Sequence, residues 1–192
     1  MLKGDRCETA KCCMERQWRS NPPGMHGWRR RRGSETYAIR LREKQKVKRF
    51  YGVLERQFAG YFRQADRAKG NTGEVLLVLL ERRLDNVVAK LGFAPSRAAA
   101  RQVVSHGHIC VNGRRLNRPG YLVSKGDVLS VKSSDRSQQL VRASVGDGGG
   151  TQQSWLQVDA QKLEGTVTAL PTREDIIQIP VEENLIVEMC SR

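Results

Sequence analysis

The sequence predicts an α+β fold: a helical first half, a small antiparallel sheet after it, and an extended basic N-terminal arm ahead of both. Three observations predict it. Apolar residues recur at helical spacing between residues 34 and 105, and the period switches to two from Ile109 onward. Residues 1–33 follow neither period and are punctuated by Asn21-Pro22-Pro23-Gly24, Gly27 and Gly33. A length of 192 residues leaves room for one domain or two small ones.

The arm contains Arg29, Arg30, Arg31 and Arg32 in a row. So few apolar groups cannot offset the entropy of ordering it, so it is expected to acquire fixed structure only against a partner. Guanidinium forks match phosphate oxygens better than ammonium groups do, which makes this run a candidate phosphate contact. Trp18 and Trp28 flank it and would either stack on bases or close a small local cluster.

Ser34, followed by Glu35, reads as the N-cap of a helix running to about Tyr51, with Tyr37, Leu41 and Phe50 as apolar anchors. Basic residues surround it: Arg40, Arg42, Lys44, Lys46, Lys48 and Arg49. Gly52 interrupts, and Leu54, Phe58, Tyr61, Phe62 and Ala65 give the next helix a core face up to Gly70. Thr72 is the expected cap of a third helix, apolar on nearly every side from Val75 to Leu80 and so buried. A short amphipathic piece with Leu84, Val87, Val88 and Leu91 ends at Gly92. Pro95 and the cap Ser96 then start a helix over Arg97–Ser105.

Strands are expected at Ile109–Val111, at Tyr121–Val123 and at Val128–Val131, with a hairpin turn at Asn112-Gly113. Residues 132–154 are polar, contain Gly146-Asp147-Gly148-Gly149-Gly150, and read as a linker or loop tip. Further strand patterns follow at Trp155–Val158, Thr166–Leu170 and Leu185–Met189.

The formal net charge is +14 and is uneven. Residues 1–50 carry fifteen basic and five acidic side chains, whereas residues 151–192 carry three and seven. Such a balance is the footprint of a polyanion binder whose acidic tail turns toward protein or solvent. No stretch approaches the roughly 20 apolar residues a membrane-spanning helix needs, so no membrane partner is expected. The N-terminus lacks a secretory apolar segment, and an odd count of five cysteines suits a reducing cytoplasm better than a disulfide framework.

Arg97 and Arg101 lie four apart on one helix face with Ser105 next, while Ala99, Ala100, Val103 and Val104 fill the other. The Asn112-Gly113 turn then presents Arg114 and Arg115. Helix face and hairpin together would form one basic surface for a phosphate backbone. His106-Gly107-His108 closes a helix and opens a strand, so capping and packing account for it. Cys7-x4-Cys12 with Cys13 is half of a zinc site; a closed site needs four ligands, and no metal or cofactor is assigned. Arg83-Leu84-Asp85 matches the catalytic stretch of pseudouridine synthases but lacks the Thr-Ser-Gly that follows there, so Asp85 is expected to be structural. No catalytic machinery is evident.

Arg82-Arg83-Leu84-Asp85-Asn86-Val87-Val88, Gly92-Phe93, Ser96-Arg97, Ala100-Arg101-Gln102, His106-Gly107-His108-Ile109 and Val111-Asn112-Gly113 together resemble the RNA-binding module named after small-subunit ribosomal protein four. That module is shared with several RNA-modifying enzymes and an RNA-binding heat-shock protein. An enzyme or RNA chaperone carrying it is therefore the alternative reading. The flanks favour the ribosomal family: Pro22-Pro23-Gly24-Met25-His26-Gly27, Leu41-Arg42-Glu43-Lys44-Gln45-Lys46 and Tyr51-Gly52-Val53-Leu54-Glu55-Arg56-Gln57-Phe58 are similar to its helical domain.

The resemblance implies an all-helical domain over residues 34–81 beside a module over 82–145 of two helices packed on a small antiparallel sheet. Residues 146–192 would supply a linker, C-terminal strands and an acidic tail returning to the body. It implies a non-catalytic constituent of the small subunit that binds 16S rRNA, nucleates assembly of its five-prime domain and contributes to translational accuracy. Expected partners are ribosomal proteins five and twelve of the small subunit, and mRNA where it enters its channel, reached by Arg29, Arg30, Arg31 and Arg32. No homo-oligomer is expected. Candidate RNA contacts beyond the arm are Arg42, Lys44, Lys46, Lys48 and Arg49 on the first helix, Arg82 and Arg83 at the start of the module, and Arg97, Arg101, His106, Arg114 and Arg115 within it. Many relatives carry an upstream Cys-x-x-Cys that would complete a zinc site with the counterparts of Cys7 and Cys12.

Overall fold

The computed structural model describes residues 4–7, 9–12, 24–26, 36–146, 153–176 and 180–191. Arg29, Arg30, Arg31 and Arg32, with Trp18 and Trp28, lie outside the described residues. Of the arm, Gly4–Cys7 forms a short 3-10 turn and Cys12 is buried.

The other described residues include seven α-helices and five strands: α1 (Thr36–Phe50), α2 (Glu55–Asp66), α3 (Thr72–Glu81), α4 (Leu84–Lys90), α5 (Arg97–Ser105), β1 (Ile109–Val111), β2 (Arg114–Arg115), β3 (Val128–Val131), α6 (Asp135–Gly146), β4 (Leu156–Asp159), β5 (Glu164–Val167) and α7 (Glu183–Cys190). All strand pairs are antiparallel, in the order β2-β1-β3-β5-β4.

Two hydrophobic cores organise these elements. In the helical body, Phe58, Tyr61, Phe62 and Ala65 of α2 pack with Leu76, Leu77, Leu79 and Leu80 of α3 and with Val47 of α1. The core is completed by Ile176 and Ile186 from the far end of the chain. In the module, Leu84, Val87 and Val88 of α4 and Ala100, Val103 and Val104 of α5 cover one face of the sheet, meeting Ile109, Val111, Leu129 and Val167, with Trp155 beside them. Asn112 and Gly113 both have positive φ (50° and 77°), the geometry a two-residue hairpin turn demands. The Asn112 side chain pins that turn, donating to Asp127 Oδ1 and accepting from the Val128 N–H, each at 2.9 Å.

Several expectations are corrected. Asn71, not Thr72, caps α3: its Oδ1 accepts from the Gly73 N–H at 3.0 Å. Within α1 the buried residue is Val47, and Tyr37 is exposed. The polar stretch after Lys132 contains α6, held by Ser137, Val141 and Val145. A stripe one residue wide, at four-residue spacing, leaves little period to detect in a polar sequence. Tyr121–Val123 is not a strand; Leu122 makes a single antiparallel bridge to Arg83. Leu185–Met189 is helical within α7, because a short apolar run reads equally as strand or helix until its neighbour is known. That neighbour is α1, joined through an Arg40–Glu188 ion pair and a Lys46 Nζ bond to the Pro180 carbonyl (2.9 Å).

Candidate nucleic-acid interface

The basic residues of α1 divide by partner. Lys44 and Lys48 both bind Glu55, and those bonds hold the Glu55 carboxyl below the usual carboxylate range. Lys46 pairs with Glu43 at 2.7 Å. Arg42 and Arg49 are exposed and form no ion pair with described residues. The helix therefore offers two open guanidinium groups, not a ring of cations.

Arg82 and Arg83 sit between the two lobes. Arg82 Nε donates to the Val123 carbonyl at 2.8 Å. Arg83 is completely buried, which corrects its expected role as an RNA contact. Its Nε donates to Asp85 Oδ1 (3.0 Å), its Nη2 to Asp85 Oδ2, and its Nη1 to the Tyr61 hydroxyl (3.0 Å). Burial alone would depress the guanidinium's titration, but the Asp85 carboxylate and Tyr61 outweigh it and the net shift is upward. Asp85 also accepts from the Asn86 N–H at 2.9 Å, so this carboxylate is consumed by structure, as the sequence suggests.

Arg97 is half-buried. Its guanidinium stacks on the Phe50 ring, 3.9 Å from the centroid, and its Nε donates to Asn86 Oδ1 at 2.6 Å. Burial lowers its titration, the signature of a cation withdrawn from water. Asn86 passes the connection on to Glu81, which also accepts from the Tyr51 hydroxyl (2.7 Å) and pairs with Lys90 (2.8 Å). Burial, then Glu81, pushes Tyr51 well above the usual phenol range. Arg83 and Arg97 thus lock the helical body to the module. Arginine counting from sequence cannot separate such residues from surface cations, because both follow the same spacing.

The remaining candidates face outward. Arg101 keeps 44% of its side chain exposed, with Asp85 Oδ2 at 3.5 Å. His106 caps the end of α5 and is exposed, as are Arg114 and Arg115 on the hairpin. Helix and hairpin meet at Gly107, whose φ is +72°. A Cβ there would lie 2.1 Å from Arg115 Nε, so glycine is what lets this guanidinium lie across the main chain and donate from Nη2 to the His106 carbonyl (3.3 Å). Sequence reasoning missed Lys132, Arg136 and Arg142, all exposed, because their segment reads as linker. Among the described residues no cluster of three or more His, Cys, Asp or Glu could hold a metal, and no helix is long and apolar enough to cross a membrane.

A family model described as ribosomal protein S4/S9 N-terminal domain matches residues 1–81, and one described as S4 domain matches residues 82–129. The chain belongs to the ribosomal protein S4 family. Small ribosomal subunit protein uS4A of Symbiobacterium thermophilum is 54% identical over 191 residues, spanning 100% of this chain and 90% of that protein. Small ribosomal subunit protein uS4 of Halothermothrix orenii is 56% identical over 192 residues with the same coverage, and its counterpart in Caldicellulosiruptor saccharolyticus is 53% identical over 192 residues, again with the same coverage. Within this family frame, the outward cations of α5 and the β1–β2 hairpin lie in the part matched as S4 domain, while the Glu81–Asn86–Arg97 network spans the junction between the two matched regions.

Proposed function

We propose that this chain is a non-catalytic structural constituent of the small ribosomal subunit that binds the five-prime domain of 16S rRNA and nucleates its assembly. One observation carries the reading: Arg101, His106, Arg114 and Arg115 are exposed on a helix end and a hairpin that touch at Gly107. A rigid, outward, cationic surface of this kind neutralises phosphates without needing to reorganise. Arg42 and Arg49 extend it on the helical body.

The same reading places the protein in the cytoplasm, beside ribosomal proteins five and twelve of the small subunit, with the arm carrying Arg29–Arg32 directed to mRNA and the whole contributing to translational accuracy. The family match and the charge of +14 support it. The test is equilibrium binding of the full chain to a five-prime-domain 16S transcript across salt concentrations. The logarithm of the affinity should fall with the logarithm of salt by about 0.7 to 0.9 per phosphate neutralised. A flat salt response, or absence of the protein from small subunits isolated at low salt, would remove the proposal.

A further inference from the structure

The outer face of the sheet carries a cationic group that reaches past the matched S4 domain. Register defines that face. Ile109 pairs with Val131 and Val111 with Leu129, and Ile109, Val111 and Leu129 point into the core. Alternation along a pleated strand therefore sends His108, Cys110, Ser130 and Lys132 to the opposite side. Cys110 pairs with Arg115 as well as with Ser130, which adds Arg115 to the same side. The Lys132 N–H donates to the His108 carbonyl at 2.8 Å and carries the ladder one step further.

Helix α6 then closes the edge. Ser137 Oγ lies 2.9 Å from His108 Nδ1 and 2.8 Å from Ser134 Oγ, which fixes the imidazole and brings Arg136, the second residue of α6, alongside. The His106 ring is 6.1 Å from the His108 ring. Four segments thus surround one half-buried imidazole with His106, Arg115, Lys132 and Arg136. Burial, followed by each of these four groups, holds the His108 titration below the usual imidazole range. Glu164, the cross-strand partner of Ser130 on β5, puts one carboxylate on the same face, away from the four cations that act on His108; Asp135 on α6 is exposed and forms no ion pair with described residues. Like charges held together by a fold repel at a cost that a bound anion removes.

We propose that this face is a phosphodiester-binding site for RNA, built by His106, Arg115, Lys132 and Arg136 around His108. It rests on the RNA-binding reading above and adds to it residues 132 and 136, which lie beyond both family matches. A docked phosphodiester exchanges the repulsion among the cations for attraction, so RNA binding stabilises the protonated imidazole.

The test uses the full chain and a five-prime-domain 16S transcript, comparing the parent with Lys132→Gln/Arg136→Gln, two exposed positions whose change leaves the cores untouched. The double variant should bind about tenfold more weakly at low salt, with a salt slope smaller by about 1 to 2, one phosphate per lost cation. Deuterium exchange at the imidazole C2 position, read by mass spectrometry against pH, should show His108 titrating higher with RNA bound than without. A double variant that melts like the parent and keeps its affinity and slope would overturn the site, as would a His108 titration indifferent to RNA. Should the parent itself bind with no salt dependence, the RNA-binding reading falls first. A steep parent slope shared by the variant sinks the phosphodiester site alone.

Discussion

Replacing Asp85 by Ala should cost far more than removing an exposed carboxylate. Arg83 has no solvent-exposed surface, and two of its three hydrogen bonds end on Asp85, leaving only the Tyr61 hydroxyl after the change. Stranding a buried charge in this way costs about 3–5 kcal/mol. A domain whose whole stability is about 5–15 kcal/mol would lose a large share of it. With a urea dependence of about 2 kcal/mol per molar, the unfolding midpoint should fall by about 1.5–2.5 M. Urea titration in a Trp18→Phe/Trp28→Phe background, followed by the fluorescence of Trp155, which is 1% exposed in the module core, reads this directly. Adding Arg83→Met to Asp85→Ala should recover much of the loss, because the stranded charge is gone. A midpoint shift under about 0.5 M for Asp85→Ala, corresponding to about 1 kcal/mol, would refute the reasoning. So would a double variant no more stable than the single one.

Arg97→Ala and Arg101→Ala should separate cleanly although they are one turn apart. The first removes a stacked guanidinium and the Asn86 bond, lowering stability by about 1–3 kcal/mol in a thermal melt, while the second leaves the melt unchanged and weakens binding to five-prime-domain RNA. Gly107→Ala should be destabilising by about 1 kcal/mol through its positive φ, and RNA affinity should drop with it as Arg115 is pushed off the main chain, measured by melting and filter binding. Acid should loosen the junction of α1 and α2. The Glu55 titration is lowered in the folded protein by Lys44 and Lys48, so its contribution is complete above the ordinary carboxylate value and disappears as pH falls through the folded value. Glu55→Gln should flatten that part of the stability-versus-pH curve.

Helices α2, α3 and α5 were legible because their apolar residues recur on a wide stripe, and the hairpin because Asn-Gly permits the two positive φ angles the turn needs. Helix α6 was not, since only Ser137, Val141 and Val145 face the module, and α7 was not, since four apolar residues at 185–189 carry no period of their own. Of the residues that helix spacing and the hairpin turn single out, Arg101, His106, Arg114 and Arg115 are exposed. What spacing could not supply is burial. Arg83 and Arg97 share the one-dimensional pattern of surface cations, and only the positions of Asp85, Tyr61, Asn86 and Phe50 bury the first and half-bury the second.

Ile176 and Ile186 sit in the core built from α1, α2 and α3. During synthesis those three helices leave the exit tunnel before the module does, yet they must wait for more than a hundred further residues before their last wall arrives. The later-made module can meanwhile pack Leu84 through Val167 from a contiguous stretch. A premature stop just before α7 would therefore wound the earlier-made body and spare the later-made module.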